Sequence, residues 1–482
     1  MALFFQRDAS LTVYPETSAG TFANGDTAYV IPLLEGFSFS QTTNSSEITL
    51  SEMESTGGVS RRGRKMFNDS LAPVEWSFST YLRPFLSSSA TGTAATYGAA
   101  AQHLVDEVLW NALMAKGRLG EVSTEIESIT LTRGSSVFTT APTVSFSGGG
   151  GSGATAEAIL FPTGHADAGK ISHVNVTAGG SGYSSAPTVA FSGSPSSGSG
   201  HSGVAVVGDS DDALLSRGTA AGNADANAMI MDTRRSNKSA LETMTLEFNL
   251  GSNQLYKVTK AVVNSATVNF DVDGIATVEW SGMGANIVSV TNGVQITSAK
   301  KITEGGRAAD TNNFIRNRLT SMSIAFADGG NSDIAPINDQ AYNLTVTGGS
   351  ISIENNISYL TPEELGVVNK PIEHVTGVRN IGGSFTCYLA TGAGGSREFF
   401  DDLVSDNALG VTTHDFAVTF NVGGTTGQPR VAFEMPHCHV EVPSHSIEDV
   451  ISLETNFSSL QSDMESNVPD DFKMKTFGKA LA

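Results

Sequence analysis

The sequence predicts a mainly β protein with two tandem domains of the β-sandwich or β-barrel type, each with one flanking helix, plus an inserted small all-β repeat domain. Three observations support this. The 482 residues include 51 glycines and only 16% charged residues, a composition typical of β-rich chains. A short strand followed by glycine occurs twice near the middle of the chain. The segments on either side of these strands are related to each other.

The charge balance limits what the protein can bind. Asp and Glu total 49 against 28 Lys and Arg, which gives a formal net charge of −21 at pH 7. Such a surface does not grip nucleic-acid phosphates, although an acidic wall that repels them is consistent with it. A disulfide-stapled secreted fold would carry more than two cysteines. We therefore expect Cys387 and Cys438 to be buried, reduced thiols.

The start of the chain and its hydropathy favour folding in a reducing cytoplasm. No apolar run approaches the ~18 residues that span a bilayer. The opening MALFFQRDAS has no basic region before its short apolar patch, so no signal peptide is predicted.

The middle of the chain contains two copies of a small β unit. APTVSFSG at residues 141–148 is repeated as APTVAFSG at residues 186–193. At the same spacing, IESITLT at residues 126–132 corresponds to ISHVNVT at residues 171–177. The run GGGGSG at residues 148–153 lacks the Lys-Ser/Thr ending of a phosphate-binding loop, and no amphipathic helix follows it. We interpret it as a turn between strands.

The flanks of this insert form a second, older duplication. The first flank has GFSFSQTTNSSEITL at residues 36–50 and VEWSFSTYL at residues 74–82. The second has GGSISIENNISYL at residues 348–360 and IGGSFTCYL at residues 381–389. In each flank a long polar loop separates the two segments, and a helix and three strands follow. Two antiparallel sheets with one helix would bury the alternating apolar faces.

The helices place the insert in a connection of the first domain. They are predicted at residues 100–117 and 396–407, the second with Ser396 as N-cap. The second helix reaches its next strand quickly, whereas the repeats and a polar surface linker, residues 209–238, fill the connection after the first. Insertions are tolerated at such exposed connections. The predicted domains are residues 1–119 with 240–300 for the first duplicated domain, 120–239 for the insert with its linker, and 301–482 for the second.

The two flanks resemble tail tube proteins (major tail proteins) of long-tailed bacteriophages, in a duplicated form. The resemblance rests on the strand, long polar loop and strand that precede a short helix, as in residues 351–389, and it covers the larger part of the chain. The unit GSGYSSAPTV at residues 180–189 also resembles repeats of phage structural proteins. The resemblance implies hexameric rings whose sheets join edge to edge into an inner barrel. It also implies stacking through long loops and a lumen that passes DNA without specific binding.

A chain with two tube domains departs from the one-domain pattern of that family. Three chains would supply six domains, so we predict a homotrimeric ring with pseudo-sixfold symmetry and the insert on its outside. The implied partners are other copies of the chain and other tail proteins: a terminator, a tip or baseplate, and a sheath in a contractile tail. The implied location is the virion tail, after assembly in the host cytoplasm, with no membrane partner and no cofactor.

The two long polar loops hold the predicted inter-ring contacts. The first begins acidic and continues basic, and the second carries three glutamates. Charge complementarity between stacked rings is one interpretation, and a solvated polar loop is the alternative. A nucleic-acid patch is disfavoured because no aromatics interleave with the basic residues. The candidate contact residues are Glu52, Glu54, Arg61, Arg62, Arg64, Lys65, Glu363, Glu364 and Glu373.

Strand residues that face the lumen should be small, polar or acidic, so that DNA phosphates do not adhere as they pass. The alternative is that the acidity only aids solubility. The sequence does not place individual carboxylates on the wall.

No catalytic constellation is predicted, and the metal candidates are weak. His437 and His439 share one face of a strand, but no strong zinc spacing surrounds them. DVDG at residues 271–274 resembles the start of a calcium loop, yet Gly282 stands where the closing Glu belongs. We interpret DVDG as a hairpin turn. The tryptophans at apolar-patterned positions, interpreted as core, are Trp76, Trp110 and Trp280.

Two other functions are compatible with a β-rich chain. A tail-tip or surface protein could bind host glycans through the insert, with Phe138 and Tyr183 stacking on sugars, although these positions also suit core packing. An enzyme on a β scaffold is disfavoured because no Ser/His/Asp order, carboxylate pair or HExxH motif is present.

Overall fold

The computed structural model describes most of the chain, in segments separated by gaps. Contacts divide it into two compact units: the main unit, Met1–Leu119 with Asp212–Ala482, and the insert unit, Gly120–Asp211. The domain boundaries drawn from sequence stay predictions. The described residues are 9–16, 19–20, 27–48, 65–86, 101–119, 124–132, 134–161, 167–193, 197–198, 200–207, 212–218, 227–233, 240–251, 254–291, 300–302, 313–326, 342–365, 369–392, 394–404, 416–424, 428–447, 450–461 and 471–480.

The main unit consists mostly of β-strands, and we call its elements before residue 303 the first half and the later ones the second half. The first half begins with β1 (Ser10–Pro15), β2 (Thr27–Ile31), β3 (Ser38–Ser40), β4 (Thr43–Glu47), β5 (Met66–Leu71), β6 (Val74–Tyr81), β7 (Pro84–Leu86), β8 (Gln102–Leu104) and α1 (Glu107–Met114). The insert unit follows with β9 (Ile126–Thr132), β10 (Thr143–Ser147), β11 (Thr155–Leu160), β12 (Ile171–Ala178), β13 (Thr188–Ser192) and β14 (Ser202–Val207).

The remaining elements all belong to the main unit. The first half resumes with β15 (Leu214–Arg217), β16 (Met229–Asp232), β17 (Met244–Asn249), β18 (Gln254–Asp271), β19 (Thr277–Gly284), β20 (Asn286–Thr291) and β21 (Lys300–Ile302). The second half has a 3₁₀ turn (Asn317–Leu319), β22 (Ser321–Phe326), β23 (Tyr342–Leu344), β24 (Val346–Glu354), β25 (Ser358–Leu360), β26 (Glu373–Val375), β27 (Asn380–Tyr388), α2 (Ser396–Leu403), β28 (Phe416–Gly423), β29 (Arg430–Val440), β30 (Ser444–Ile447), β31 (Ile451–Ser459), β32 (Lys473–Phe477) and β33 (Lys479–Ala480).

One run of eight antiparallel strands passes through both halves, and we call it the eight-stranded layer. In order across the sheet it consists of β3, β6, β19, β18, β24, β27, β31 and β30. The first four strands belong to the first half and the last four to the second half. Because side chains alternate along each strand, one face of this layer is buried and the other is available for polar residues.

Long strands connect this layer to a second one in each half. The first part of β18 pairs with β17 and β20, and its last part pairs with β19 and β24. In the second half, β29 pairs with β28 and β32 and then with β31. A strand that leaves one sheet and enters another forms the corner of a sandwich.

The strands of the two sheet layers correspond between the two halves. β1 pairs with β2 and β17 as β22 pairs with β23 and β28. The order β3, β6, β19 matches the order β24, β27, β31. The predicted fold class is confirmed: the chain is mainly β, with several sheets, two α-helices among the described residues and an all-β insert.

Aromatic side chains from both halves share the core of the main unit. Trp110 of α1 packs against Trp280 with ring centroids 5.1 Å apart, and against Phe433 at 5.9 Å. Burial raises the pKa of the Cys387 thiol to about 11. The DVDG segment lies between β18 and β19, which form the predicted antiparallel hairpin. The residues predicted to be core or buried thiols are all buried: Trp76, Trp110, Trp280, Cys387 and Cys438.

An ionic cluster is buried at the first turn of α1. The Arg217 guanidinium lies 2.9 Å from the Glu107 carboxylate, and His103 Nδ1 lies 3.2 Å from the same oxygen. Burial opposes ionisation of Glu107, but the Arg217 guanidinium and the hydrogen bonds of the cluster outweigh it and lower the pKa of Glu107 to about 2. The cluster therefore ties α1 to β8 and β15 by charge.

A second carboxyl beside this cluster behaves in the opposite way. Asp106 is fully buried and accepts a hydrogen bond from the Thr80 hydroxyl at 2.9 Å, and Thr80 in turn accepts one from Trp280 Nε1 at 3.0 Å. Burial raises the pKa of Asp106 to about 7, because these hydrogen bonds offset only part of the desolvation.

The insert unit is one six-stranded sheet, in which the two repeats meet at their repeated strands. Its order is β12, β11, β10, β13, β14 and β9, with β10 antiparallel to β13. The glycine run between β10 and β11 is a turn, as predicted. Gly149 has φ +73°, and a Cβ there would lie 2.6 Å from the Ser185 carbonyl oxygen, so glycine is required. Phe138 and Tyr183 are buried in this unit's core.

Three local features differ from the sequence-based expectation. The segment 100–117, predicted as one helix, forms β8 before the shorter α1, where His103 and Gln102 are fixed by the buried cluster and by Gly478 N–H. The Ser396 hydroxyl donates to the Tyr388 carbonyl and accepts from Ala390 N–H, so it fixes the preceding loop rather than capping α2.

The third difference is in the predicted surface linker, residues 209–238. It contributes β15 and β16 to the main unit, and β16 pairs with β32. Met229 and Met231 alternate into the core with Ile230 between them, a strand signal that the surrounding polar residues conceal.

Candidate assembly interface

The two halves join through β18 and β24, a junction made within one chain. It runs from Ser265 opposite Glu354 to Asp271 opposite Gly348. Near its centre Val268 lies opposite Ile351, and both are buried. The residues beside them point to the other face and are polar. The junction therefore has an apolar side towards the core and a polar side away from it.

The whole eight-stranded layer repeats this division, and we call its second side the polar face. Across the strands Ser77, Ser281 and Ser265 follow one another, and the Ser281 and Ser265 hydroxyls lie 2.7 Å apart. Among the described strand positions on this face there is no Lys or Arg. Its members are Ser38, Ser40, Glu75, Ser77, Ser79, Tyr81, Ser265, Thr267, Asn269, Asp271, Thr277, Glu279, Ser281, Met283, Gly348, Ser350, Ser352, Glu354, Asn380, Gly382, Ser384, Thr386, Tyr388, His439, Ser444, Ser446, Ser452, Glu454, Asn456 and Ser458.

The exposed carboxylates of this face are the functional candidates that sequence reasoning did not place. They alternate with buried residues along their strands, which is the pattern of a half-buried strand. Only the strand register shows that they lie on one surface. Asn269 Nδ2 donates to Glu279 at 3.1 Å. With no Lys or Arg on the described face, these charges give it a negative potential. The five are Glu75, Asp271, Glu279, Glu354 and Glu454.

The eight-stranded layer ends at β3 on one side and at β30 on the other. Among the described strands β3 pairs only with β6, and β30 pairs only with β31. All four β30 residues are exposed. An unpaired strand edge presents backbone N–H and C=O groups that can pair with another strand.

Each of the two long loops contains a two-stranded hairpin: β4 and β5 in the first loop, and β25 and β26 in the second. In the second loop, β25 and β26 lie against the first half of the same chain. Ile357 packs with Leu241 and Val262, and the Tyr359 hydroxyl donates to the Lys260 carbonyl oxygen. We call this pair of strands the second hairpin.

Further hydrogen bonds fix the residues that flank the second hairpin on the first half. Asn355 Nδ2 donates to the Leu113 carbonyl at 2.8 Å, and Arg379 Nη2 donates to the Met114 carbonyl at 3.1 Å, which satisfies two acceptors at the C-terminal end of α1. The interface between the halves is thus held by polar contacts as well as by the β18–β24 ladder.

In the first loop, β4 and β5 form the corresponding first hairpin, whose apolar residues are exposed. Met66 is 55% exposed and Phe67 is 52% exposed. The Lys65 ammonium lies 5.5 Å from the centre of the Phe67 ring. Ser70 forms a parallel bridge with Asn369 of the second loop, so the two loops touch.

Only some of the predicted inter-ring residues lie within the described segments. Lys65, Glu363, Glu364 and Glu373 are exposed, and Glu373 lies in the second hairpin rather than at its tip. Leu365, close to Glu364, is fully exposed, so the tip of the second loop also has an apolar side chain. The other candidates lie outside the described residues: Glu52, Glu54, Arg61, Arg62 and Arg64.

The histidine pair does not form a metal site with other residues of the described segments. His437 is half-buried and His439 is exposed, with the buried Cys438 between them on the opposite face. No group of three His, Cys, Asp or Glu in the described segments could hold a metal ion. Among those same segments, no helix is long and apolar enough to cross a membrane.

The class that these features define is a mainly β protein with two corresponding halves and, among the described strands, a sheet layer with two unpaired edges. Over 205 residues the chain is 28% identical to tail tube protein pb6 of Escherichia phage T5. The matched part covers 42% of this chain and 42% of that protein, so less than half of the relative's length is spanned. The similarity confirms the resemblance to tail tube proteins drawn from the flanks. No family model matches the chain.

Proposed function

We propose that this chain is a structural subunit that self-assembles into the tube of a phage tail. The observation that carries the proposal is the eight-stranded layer, which combines a continuous acidic polar face with an end strand on each side whose outer edge has no partner among the described strands. Such a layer has no catalytic groups to position, but it can extend through its edges. The similarity to a tail tube protein supports the same role.

In this proposal three copies close a ring, and the junction inside the chain is the template for the junction between chains. Ser38 stands opposite Ser77 as Ser350 stands opposite Ser384, so β3 corresponds to β24. Likewise β30 stands beside β31 as the last part of β18 stands beside β19. An edge pair β3–β30 between copies would therefore repeat the β18–β24 pair.

The template also specifies a register for the edge pair. In the chain, Ile351 lies opposite Val268. Phe39 occupies the position of Ile351, and His445 occupies that of Val268, because His445 faces Leu453 as Val268 faces Val278. Phe39 of one copy would thus lie opposite His445 of the next. Closure of three chains in this way removes every free edge of the layer.

The polar face would line the lumen, where its carboxylates keep DNA phosphates from adhering during ejection. The long loops would connect stacked rings, with the basic end of the first loop meeting carboxylates of the second loop of the next ring. The proposed setting is the virion tail, assembled in the host cytoplasm with a terminator and a tip or baseplate, and without enzymatic activity.

The glycan-binding alternative loses the observation on which it rested. Phe138 and Tyr183 are buried in the core of the insert unit, so their rings are not available to stack on sugars.

Electron microscopy of the purified protein tests the proposal. We expect hollow rings or tubes with threefold symmetry, and a Phe39→Cys/His445→Cys variant should form disulfide-linked multimers of the chain within them. A protein that stays monomeric at high concentration under low and high salt would refute the tube. A ring with another strand register would leave Phe39→Cys/His445→Cys uncrosslinked.

A further inference from the structure

The first and second hairpins occupy the same place in the two halves, which makes their different surroundings informative. Phe67 lies opposite Ser46, and His374 lies opposite Tyr359. Counted back from Ser77 and Ser384, which start the shared Ser-Phe motif, Phe67 and His374 fall at the same distance along the chain. Phe67 and His374 therefore correspond.

The position is buried in the second hairpin. His374 is 7% exposed, and its Nε2 accepts a hydrogen bond from Leu241 N–H of the first half at 3.0 Å. Burial lowers the pKa of His374, which fits a neutral ring that accepts this hydrogen bond. Next to it, Lys260 Nζ donates to the Ile372 carbonyl at 2.8 Å. The second hairpin is thus seated on the other half of its own chain.

The first hairpin carries apolar side chains at these positions but is not seated in this way. Phe67 replaces His374 and Met66 replaces Glu373, and each is more than half exposed. Phe67 stands at the position that is buried in the second hairpin, and a large exposed apolar side chain there indicates a surface that another molecule covers.

The correspondence also identifies what would cover it. The second hairpin sits beside Lys260, in the β-bulge of β18 opposite the step from Leu246 to Met244. The matching bulge of β29, opposite the step from Val418 to Phe416, contains His437. In the ring proposed above, β3 lies beside β30 of another copy as β24 lies beside β18 within the chain, so the host of the first hairpin is the second half of that other copy.

We propose that the first hairpin packs on the second half of a second copy, with Phe67 in the buried position that His374 takes within the chain and Lys65 close to His437 of that copy. The inference rests on the ring assembly proposed above and adds a second contact to its junction. This contact is more apolar than its intrachain counterpart, since a phenyl ring replaces a hydrogen-bonded imidazole.

The first test is a Phe67→Ser variant, compared with Val204→Ser, which removes an exposed apolar side chain from the insert unit. We expect Phe67→Ser to raise the protein concentration needed for ring formation by at least tenfold, as followed by analytical ultracentrifugation, and to leave the monomer's melting temperature unchanged. Val204→Ser should assemble like the wild type. Equal assembly of Phe67→Ser and the wild type would overturn the proposal.

The second test is a short bismaleimide crosslinker with a Lys65→Cys/His437→Cys variant; Cys387 and Cys438 are buried and should not react. We expect crosslinks between chains, whereas an Ile372→Cys/Lys260→Cys variant should give the matching crosslink within one chain. Wild-type rings without the Lys65–His437 crosslink would refute the hairpin contact alone. Absence of rings in the wild type would refute the assembly as a whole.

Discussion

Phe67 and His374 occupy corresponding positions in the two hairpins of the main unit, yet Phe67 is 52% exposed and His374 is 7% exposed. His374 is buried because the first half of the same chain supplies Leu241 N–H as its hydrogen-bond donor. The two hairpins therefore have different neighbours within the chain, and their residue types at this position differ accordingly. His374, the polar residue, has a fixed backbone donor, whereas Phe67, the apolar residue, is exposed in the single chain.

The buried Asp106 predicts a pH-dependent stability. Its pKa is raised from an ordinary value near 4 to about 7, so its contribution is complete below about pH 4 and is lost as the pH rises through about 7. An Asp106→Asn variant should therefore gain stability relative to the wild type between pH 4 and 8, by about 2–4 kcal/mol at the upper end. Urea unfolding across this range measures it. Parallel pH curves for the two proteins would contradict the prediction, and Asp271→Asn, at an exposed position, is the control.

The Glu107–Arg217 pair predicts a large loss on removal of one partner. Both groups are mostly buried, and a Glu107→Gln variant leaves the Arg217 charge without its counterion. We expect a loss of about 3–5 kcal/mol in the free energy of unfolding. A Glu107→Gln/Arg217→Met double variant should recover part of this loss. Glu279→Gln on the exposed polar face should change stability by less than about 0.5 kcal/mol.

Charge reversal on the polar face tests whether it lines a DNA conduit. Assembled Glu75→Lys/Glu279→Lys protein should retain DNA at low salt and release it at high salt, since each added lysine can neutralise a phosphate. Filter retention of labelled DNA measures this. A Glu125→Lys/Glu157→Lys variant carries the same charge change in the insert unit. Equal retention by the two variants would show that the polar face is not the surface that DNA meets.

The basic end of the first loop predicts a separate assembly step. Reversal of Arg61, Arg62 and Arg64 to glutamate should block growth of tubes while single rings still form and the melting temperature stays unchanged. Negative-stain images and light scattering distinguish rings from tubes. Tubes of normal length from this variant would leave these arginines as solvated loop residues.

Sequence reasoning reached the fold class because the signals for it are local. The shared motif that begins at Ser77 and Ser384 revealed the duplication, and alternating apolar residues revealed the strands. Residues 102–104 were wrongly predicted to be helical. His103 and Gln102 are held by Arg217 and Gly478, which are distant in sequence, so no local pattern indicates these contacts. Tertiary contacts decided the conformation there.

The candidate interface was harder to predict than the fold. Glu75, Glu279 and Glu354 are far apart in sequence, and only the register of β6, β19, β18 and β24 brings them to one face. Exposed Phe67 looked like one more residue of a polar loop. Its importance becomes clear only from comparison with buried His374. The sequence alone does not show that the two residues have different surroundings.

Both strands of the β18–β24 junction belong to a single polypeptide, and this has a genetic consequence. In an assembly of identical single-domain subunits, one codon changes every junction at once, so a substitution must suit both sides of all of them. In the proposed ring, Val268 and Ile351 can mutate without altering Phe39 or His445. Each kind of junction can drift or be selected separately, so one can be tuned for permanence while the other keeps a reversible affinity.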